Sequence, residues 1–100
     1  MLAHIVFFSL KDNSTAACQA LVESCKKYLT GHDGEVYFAC GSRNLELTRD
    51  ENDRDFDVAL HIVFDSVANH DLYQVAPRHQ EFIDANKELW SGVRVFDSNC

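Results

Sequence analysis

The chain has 100 residues, 46% of them hydrophobic and 25% charged, with a net charge of −7 from sixteen acids against nine Lys and Arg. That is the composition of one folded domain over residues 1–100, and it excludes wholesale disorder. The acidic balance offers no basic stripe for nucleic acid or an anionic membrane surface, and no apolar run approaches the ~20 residues that span a bilayer.

Residues 4–10, His-Ile-Val-Phe-Phe-Ser-Leu, are β-branched and aromatic and stop at Lys11-Asp12-Asn13. They predict a first strand rather than a leader peptide. His4, Val6, Phe8 and Leu10 share one face, and Ile5, Phe7 and Ser9 the other. Both faces are largely apolar, so both need cover: helices on one side, and a second copy of the chain on the side bearing Ile5 and Phe7. From Ser14 the period becomes helical, with Ala17, Leu21, Cys25 and Leu29 on one stripe, Ser14 as N-cap and Lys26-Lys27 in the last turn. Gly31 and Gly34 end this helix. Glu35 to Cys40 reads as a second strand closed by Gly41, and residues 43–55 as a mobile charged connection with a frayed strand at Leu45–Leu47. Phe56 to Phe64 predicts a third strand with Val58, Leu60, Ile62 and Phe64 on its apolar face. Ser66 caps a short helix through Tyr73, and Pro77 starts another with a stripe of Phe82, Ile83, Leu89 and Trp90. Ser91-Gly92 ends it, before a last strand from Val93 to Phe96. The order βαββαβ predicts an α+β, ferredoxin-like domain, with a four-stranded antiparallel sheet covered by helices on one face.

The cysteines, Cys18, Cys25, Cys40 and Cys100, contain no C-x-x-C pair. Cys18 and Cys25 lie about 10 Å apart along a helix, too far for a disulfide, so reduced thiols in a cytoplasmic protein are expected. The series Asp53-x-Asp55-x-Asp57 imitates a calcium loop, but Val58 holds the glycine position and Phe64 the place of the last glutamate. The five histidines make no i, i+4 pair. No metal or other cofactor is expected.

Three stretches carry a family resemblance: the opening His4-Ile-Val-Phe-Phe-Ser-Leu-Lys-Asp12; the third strand running into Asp65-Ser66; and Tyr73-Gln-Val-Ala-Pro-Arg-His79-Gln-Glu-Phe82 with the ending Val93-Arg-Val-Phe-Asp97. Together they resemble the stress-responsive A/B-barrel domain, Dabb, over nearly the whole chain. The resemblance implies a dimeric α+β barrel, two ferredoxin-like sheets packed back to back. Family functions are scattered: some members are linked to plant stress responses, and one is a cofactor-free polyketide cyclase. Matched motif by motif, that enzyme's base falls on His79, its assisting tyrosine on Tyr73 and its first-strand histidine on His4. Ala76 stands where the family run carries its first histidine, and Val58 where the enzyme has its third-strand histidine, while His61 has the opposite parity.

The chemistry of these residues suits the role. His79 falls in the first turn of its helix, where the dipole disfavours imidazolium, and a neutral histidine is a competent general base. Val6, Phe8, Val58, Leu60 and Phe82 are expected to wall a pocket for a small apolar or polyketide-like ligand. Two functions compete: a small cofactor-independent enzyme, either a cyclase or a related monooxygenase of the same barrel type, and a non-catalytic, stress-associated dimeric binding protein. A pocket that is open and polar at His79 favours the first, and one plugged by side chains the second.

Overall fold

A computed structural model describes residues 1–100. Strand β1 spans Leu2–Leu10, helix α1 Thr15–Leu29, β2 Glu35–Ser42, β3 Val58–Phe64, α2 Val67–Val75 and α3 Pro77–Asn86; a short 3-10 turn at Lys87–Leu89 leads into β4, Trp90–Asn99. The strands pair antiparallel in the order β2-β3-β1-β4. This is the expected ferredoxin-like sheet, with helices on one face.

The alternation in β1 decides which face they cover. Leu2, His4, Val6, Phe8 and Leu10 are buried, while Ala3, Ile5, Phe7 and Ser9 are half-buried. Val58, Leu60, Ile62 and Phe64 of β3 join the same core with Leu21, Val22, Cys25 and Leu29 of α1. Helix α1 begins at Ser14, whose hydroxyl accepts from the Ala17 amide. Its far end is closed from outside: the Arg78 guanidinium of α3 donates to the carbonyls of Lys27 and Thr30 at 2.7 and 2.9 Å, satisfying two groups that a helix terminus leaves orphaned. Gly34 then turns the chain with φ +82, and a side chain there would press on Asn69 and Asp65 at 2.6 Å.

Several boundaries differ from the sequence reading. Strand β2 runs through Gly41, which pairs with Ala59, and β4 begins at Trp90 and reaches Asn99. In both, a neighbouring strand offers backbone partners that outweigh the glycine signal. Strand β3 starts at Val58 rather than Phe56, because Asp57 is spent on β1: its amide donates to the Phe8 carbonyl and its carboxylate accepts from the Leu10 amide. Here the β1–β4 register shifts between Ser9 and Leu10, an irregularity that lets Leu10 face Trp90. Leu45–Leu47 forms no strand and is exposed. Helix α2 runs two residues past Tyr73, and Ala76, extended at ψ 143 ahead of Pro77, separates it from α3. Helix α3 ends at Asn86, so Leu89 leaves the predicted stripe and is exposed, and Trp90 packs on Phe8 and Phe82 from β4.

Candidate functional site

Helix α1 packs on β2 and β3, and α2 on β3, whereas β4 is largely exposed beyond Trp90. The register sets Val93, Val95 and Asp97 opposite Phe8, Val6 and His4, on the helix side of the sheet. A cavity of about 320 Å³ lies there. Its apolar wall is Val6, Phe8, Leu29, Leu60, Phe82, Ile83, Trp90, Val93 and Val95; its polar groups are His4, His70, Tyr73, Gln74, His79 and Asp97.

The three residues expected to carry chemistry therefore share one cavity, His4 from β1, Tyr73 from α2 and His79 from α3. Of the expected wall, Val6, Phe8, Leu60 and Phe82 line it, but Val58 does not. Val58 pairs with Ser42 and Phe8 in the middle of the sheet and is wholly buried, whereas the cavity opens toward β4. His61 faces the other side of the sheet, with Ile5, Phe7, Phe96 and Arg94.

Tyr73 is the hub. The rings of His79, His32, His4 and His70 lie 4.7, 5.0, 6.0 and 6.4 Å from its own, so four of the five histidines surround one phenol. Burial pushes the Tyr73 hydroxyl well above its ordinary value, with Cys25 and Glu35 adding to it. It stays a neutral donor at any physiological pH. Its contact with His79 is edge to face, ring against ring. Burial also holds His79 below the usual imidazole range, and the other three histidines push the same way. Desolvation is the leading cause, ahead of the neighbouring histidines.

His4 is held differently. Its Nδ1 lies 2.6 Å from an Asp97 carboxylate oxygen, so the neutral ring donates there and keeps Nε2 unprotonated. Burial lowers its affinity for a second proton, and Asp97 only partly offsets this. Asp97 lies just past Phe96, where the sequence predicts that the last strand ends, and the strand in fact continues to Asn99. Carried one residue further, the antiparallel register places it opposite His4. His70 was missed too, although it stands three residues before Tyr73, the spacing of neighbours on a helix face. The nearest metal-like grouping is His4, His70 and Asp97, one atom from each lying within 4.8 Å of the others.

The model of the stress responsive A/B barrel domain, Dabb, matches residues 2–100. Among curated proteins none matches the chain. Solved structures share the fold at low identity. A dimeric ferredoxin-like protein of unknown function from Thermobifida fusca is 17% identical, with a TM-score of 0.81 over 99% of this chain and 90% of that one. A Dabb family protein from Mesorhizobium loti is 19% identical, with a TM-score of 0.79 over 99% and 95%. A hydroxynitrile lyase from Passiflora edulis is 20% identical, with a TM-score of 0.75 over 97% and 90%. The βαββαβ order, the antiparallel sheet and the match over residues 2–100 agree: the chain belongs to the stress responsive A/B barrel, or Dabb, family.

Proposed function

We propose that this Dabb protein is a cofactor-independent acid–base enzyme of the polyketide-cyclase kind, acting as a homodimer on a small, largely apolar ligand with carbonyls in a 1,3-relation. The observation that carries the reading is the convergence of His79, Tyr73 and His4 on one open, mostly apolar cavity. His79, kept neutral by burial, takes a proton from the carbon between two carbonyls. The C–H electron pair becomes an enolate, whose oxygen Tyr73 meets with a hydrogen bond. The enolate carbon closes on a second carbonyl of the same molecule, and the resulting alkoxide recovers the proton from His79. His4, steadied by Asp97, takes the third position and orients the ligand. Relatives support the frame: the Thermobifida fusca protein is dimeric, and the Passiflora edulis relative is an enzyme on the same fold.

The test needs no knowledge of the natural substrate. Deuterium exchange at the central carbon of a simple 1,3-diketone, followed by NMR, reads proton abstraction directly. The wild-type chain should accelerate it, and His79→Ala should lose about 10²- to 10⁴-fold while keeping its far-UV spectrum. A wild-type rate no faster than that of His79→Ala would overturn the base assignment and leave a ligand-binding, stress-associated dimer as the reading.

A further inference from the structure

We propose that His4, His70 and Asp97 form a divalent transition-metal site on the wall of the cavity. This goes beyond the base reading and does not rest on it: with an ion bound, His4 and Asp97 would serve as its ligands in place of orienting the substrate directly, while His79 and Tyr73 keep their roles. The three side chains come from three separate elements, β1, α2 and β4, so no spacing along the chain announces them. Two are shielded: the His4 and His70 side chains keep 6% and 14% of their exposure, while Asp97 at 43% leaves a route to solvent. The rings of His4 and His70 lie 4.9 Å apart. A nitrogen of each and an oxygen of Asp97 lie within 4.8 Å of one another. Ligand atoms about 2.1 Å from a common ion sit roughly 3–3.5 Å apart, so side-chain rotations moving atoms by about 1 Å complete the set.

The donor set fixes the class of ion. Two imidazoles and one carboxylate suit Zn²⁺, Fe²⁺ or Mn²⁺, whereas Ca²⁺ and Mg²⁺ ask for oxygen. Three protein ligands leave coordination positions vacant, and these would open on the cavity that His79 and Tyr73 also line. The net charge of −7 favours a cation. The ion would enter between His4 Nδ1 and Asp97, now 2.6 Å apart across a hydrogen bond. The ring proton moves to Nε2, no proton is lost, and the two side chains separate. His70 must also leave its 3.1 Å contact with the exposed Asp71 if it ligates through Nδ1.

Titration of the untagged, metal-free chain with Co²⁺ at neutral pH tests this, with Zn²⁺ as the diamagnetic counterpart for NMR. One ion should bind per chain, with ligand-field bands of a nitrogen and oxygen site. His70→Ala and Asp97→Asn should each weaken binding by roughly 100-fold, at least the loss seen when a metal site's supporting groups are removed. Zn²⁺ should move the imidazole resonances of His4 and His70 in the wild-type chain, a measurement that needs no variant to fold. Absence of binding at micromolar metal, a thiolate-to-Co²⁺ charge-transfer band, or unmoved His4 and His70 resonances would each overturn the site. The two readings fail separately: His79→Ala should retain the metal while losing proton abstraction, and loss of the metal in His70→Ala leaves the His79 and Tyr73 side chains in place.

Discussion

His79 and His4 are both held neutral, yet by different surroundings, and their protonation is where single residues become measurable. Burial dominates at each; His4 has a carboxylate partner working against it, and His79 has only other histidines pushing the same way. Both should titrate by NMR below the ~6.5 of a free imidazole. The sign for stability follows. In the unfolded chain both rings take up protons near pH 6.5, whereas in the folded chain they resist to lower pH, so the unfolded state binds more protons in between. Stability is therefore full above about pH 6.5 and declines as pH falls toward the folded-state values. Urea midpoints measured from about pH 7.5 down to 5.5 should fall, and His79→Gln should flatten part of that decline. A flat profile in the wild-type chain would show that neither ring is held below its free value.

At the scale of elements, α2 and its break from α3 set the spacing of the site. Helix α2 is nine residues long, too short to persist by propensity, and it carries both His70 and Tyr73. Its start depends on Ser66, whose hydroxyl accepts from the Asn69 amide at 3.1 Å. Ser66→Ala should cost about 1 kcal/mol, read as a lower urea midpoint, and should shift the ring resonances of Tyr73 and His70 more than those of residues in β3. This helix start was legible in the sequence, as were the Pro77 start and the alternations in β1 and β3, because capping chemistry and periodicity are local. What depended on partners was not. The ends of β2 and β4 are set by the strands beside them, so Gly41 and Gly92 misled as stop signals. Trp90 looked helical by spacing and belongs to a strand. His4, Tyr73 and His79 could be named because family motifs mark them. His70 and Asp97 required three-dimensional pairing, and Val58 was placed in the wall because parity gives a face but not a position across the sheet.

The whole molecule presents one unfinished surface. On the face away from the helices, Phe7 lies 4.9 Å from Phe56 and 5.9 Å from Phe96, and a shallow hollow of about 330 Å³ is lined by Ile5, Phe7, Phe56, His61, Arg94, Phe96 and Asp53. The chain runs over the rim of this patch, where Arg94 pairs with Asp53 at 3.2 Å. An apolar sheet face of this kind is the part of the molecule that the proposed homodimer buries. Ile5→Lys places an ammonium beside His61, its partner across the β1–β3 pair. Sedimentation should give a dimer for the wild-type chain and a monomer for Ile5→Lys, since a buried unpaired charge costs several kcal/mol. A wild-type monomer at micromolar concentration would sink the assembly.

The irregularity between Ser9 and Leu10 also sets what changes of length the chain can absorb. Beyond it, β1 and β4 run in strict register from Phe8 opposite Val93 to Leu2 opposite Asn99. Side chains alternate faces, so one residue inserted between Val93 and Asp97 would turn the Asp97 carboxylate to the outer side and leave His4 alone. Two would restore the face but displace the carboxylate by about 7 Å along the strand. The exposed turns over residues 44–51 have no such parity, and they can lengthen or shorten without moving any group of the cavity. Insertions and deletions compatible with the site are therefore confined to connections of that kind, and the strand that supplies Asp97 has a length counted from the register shift.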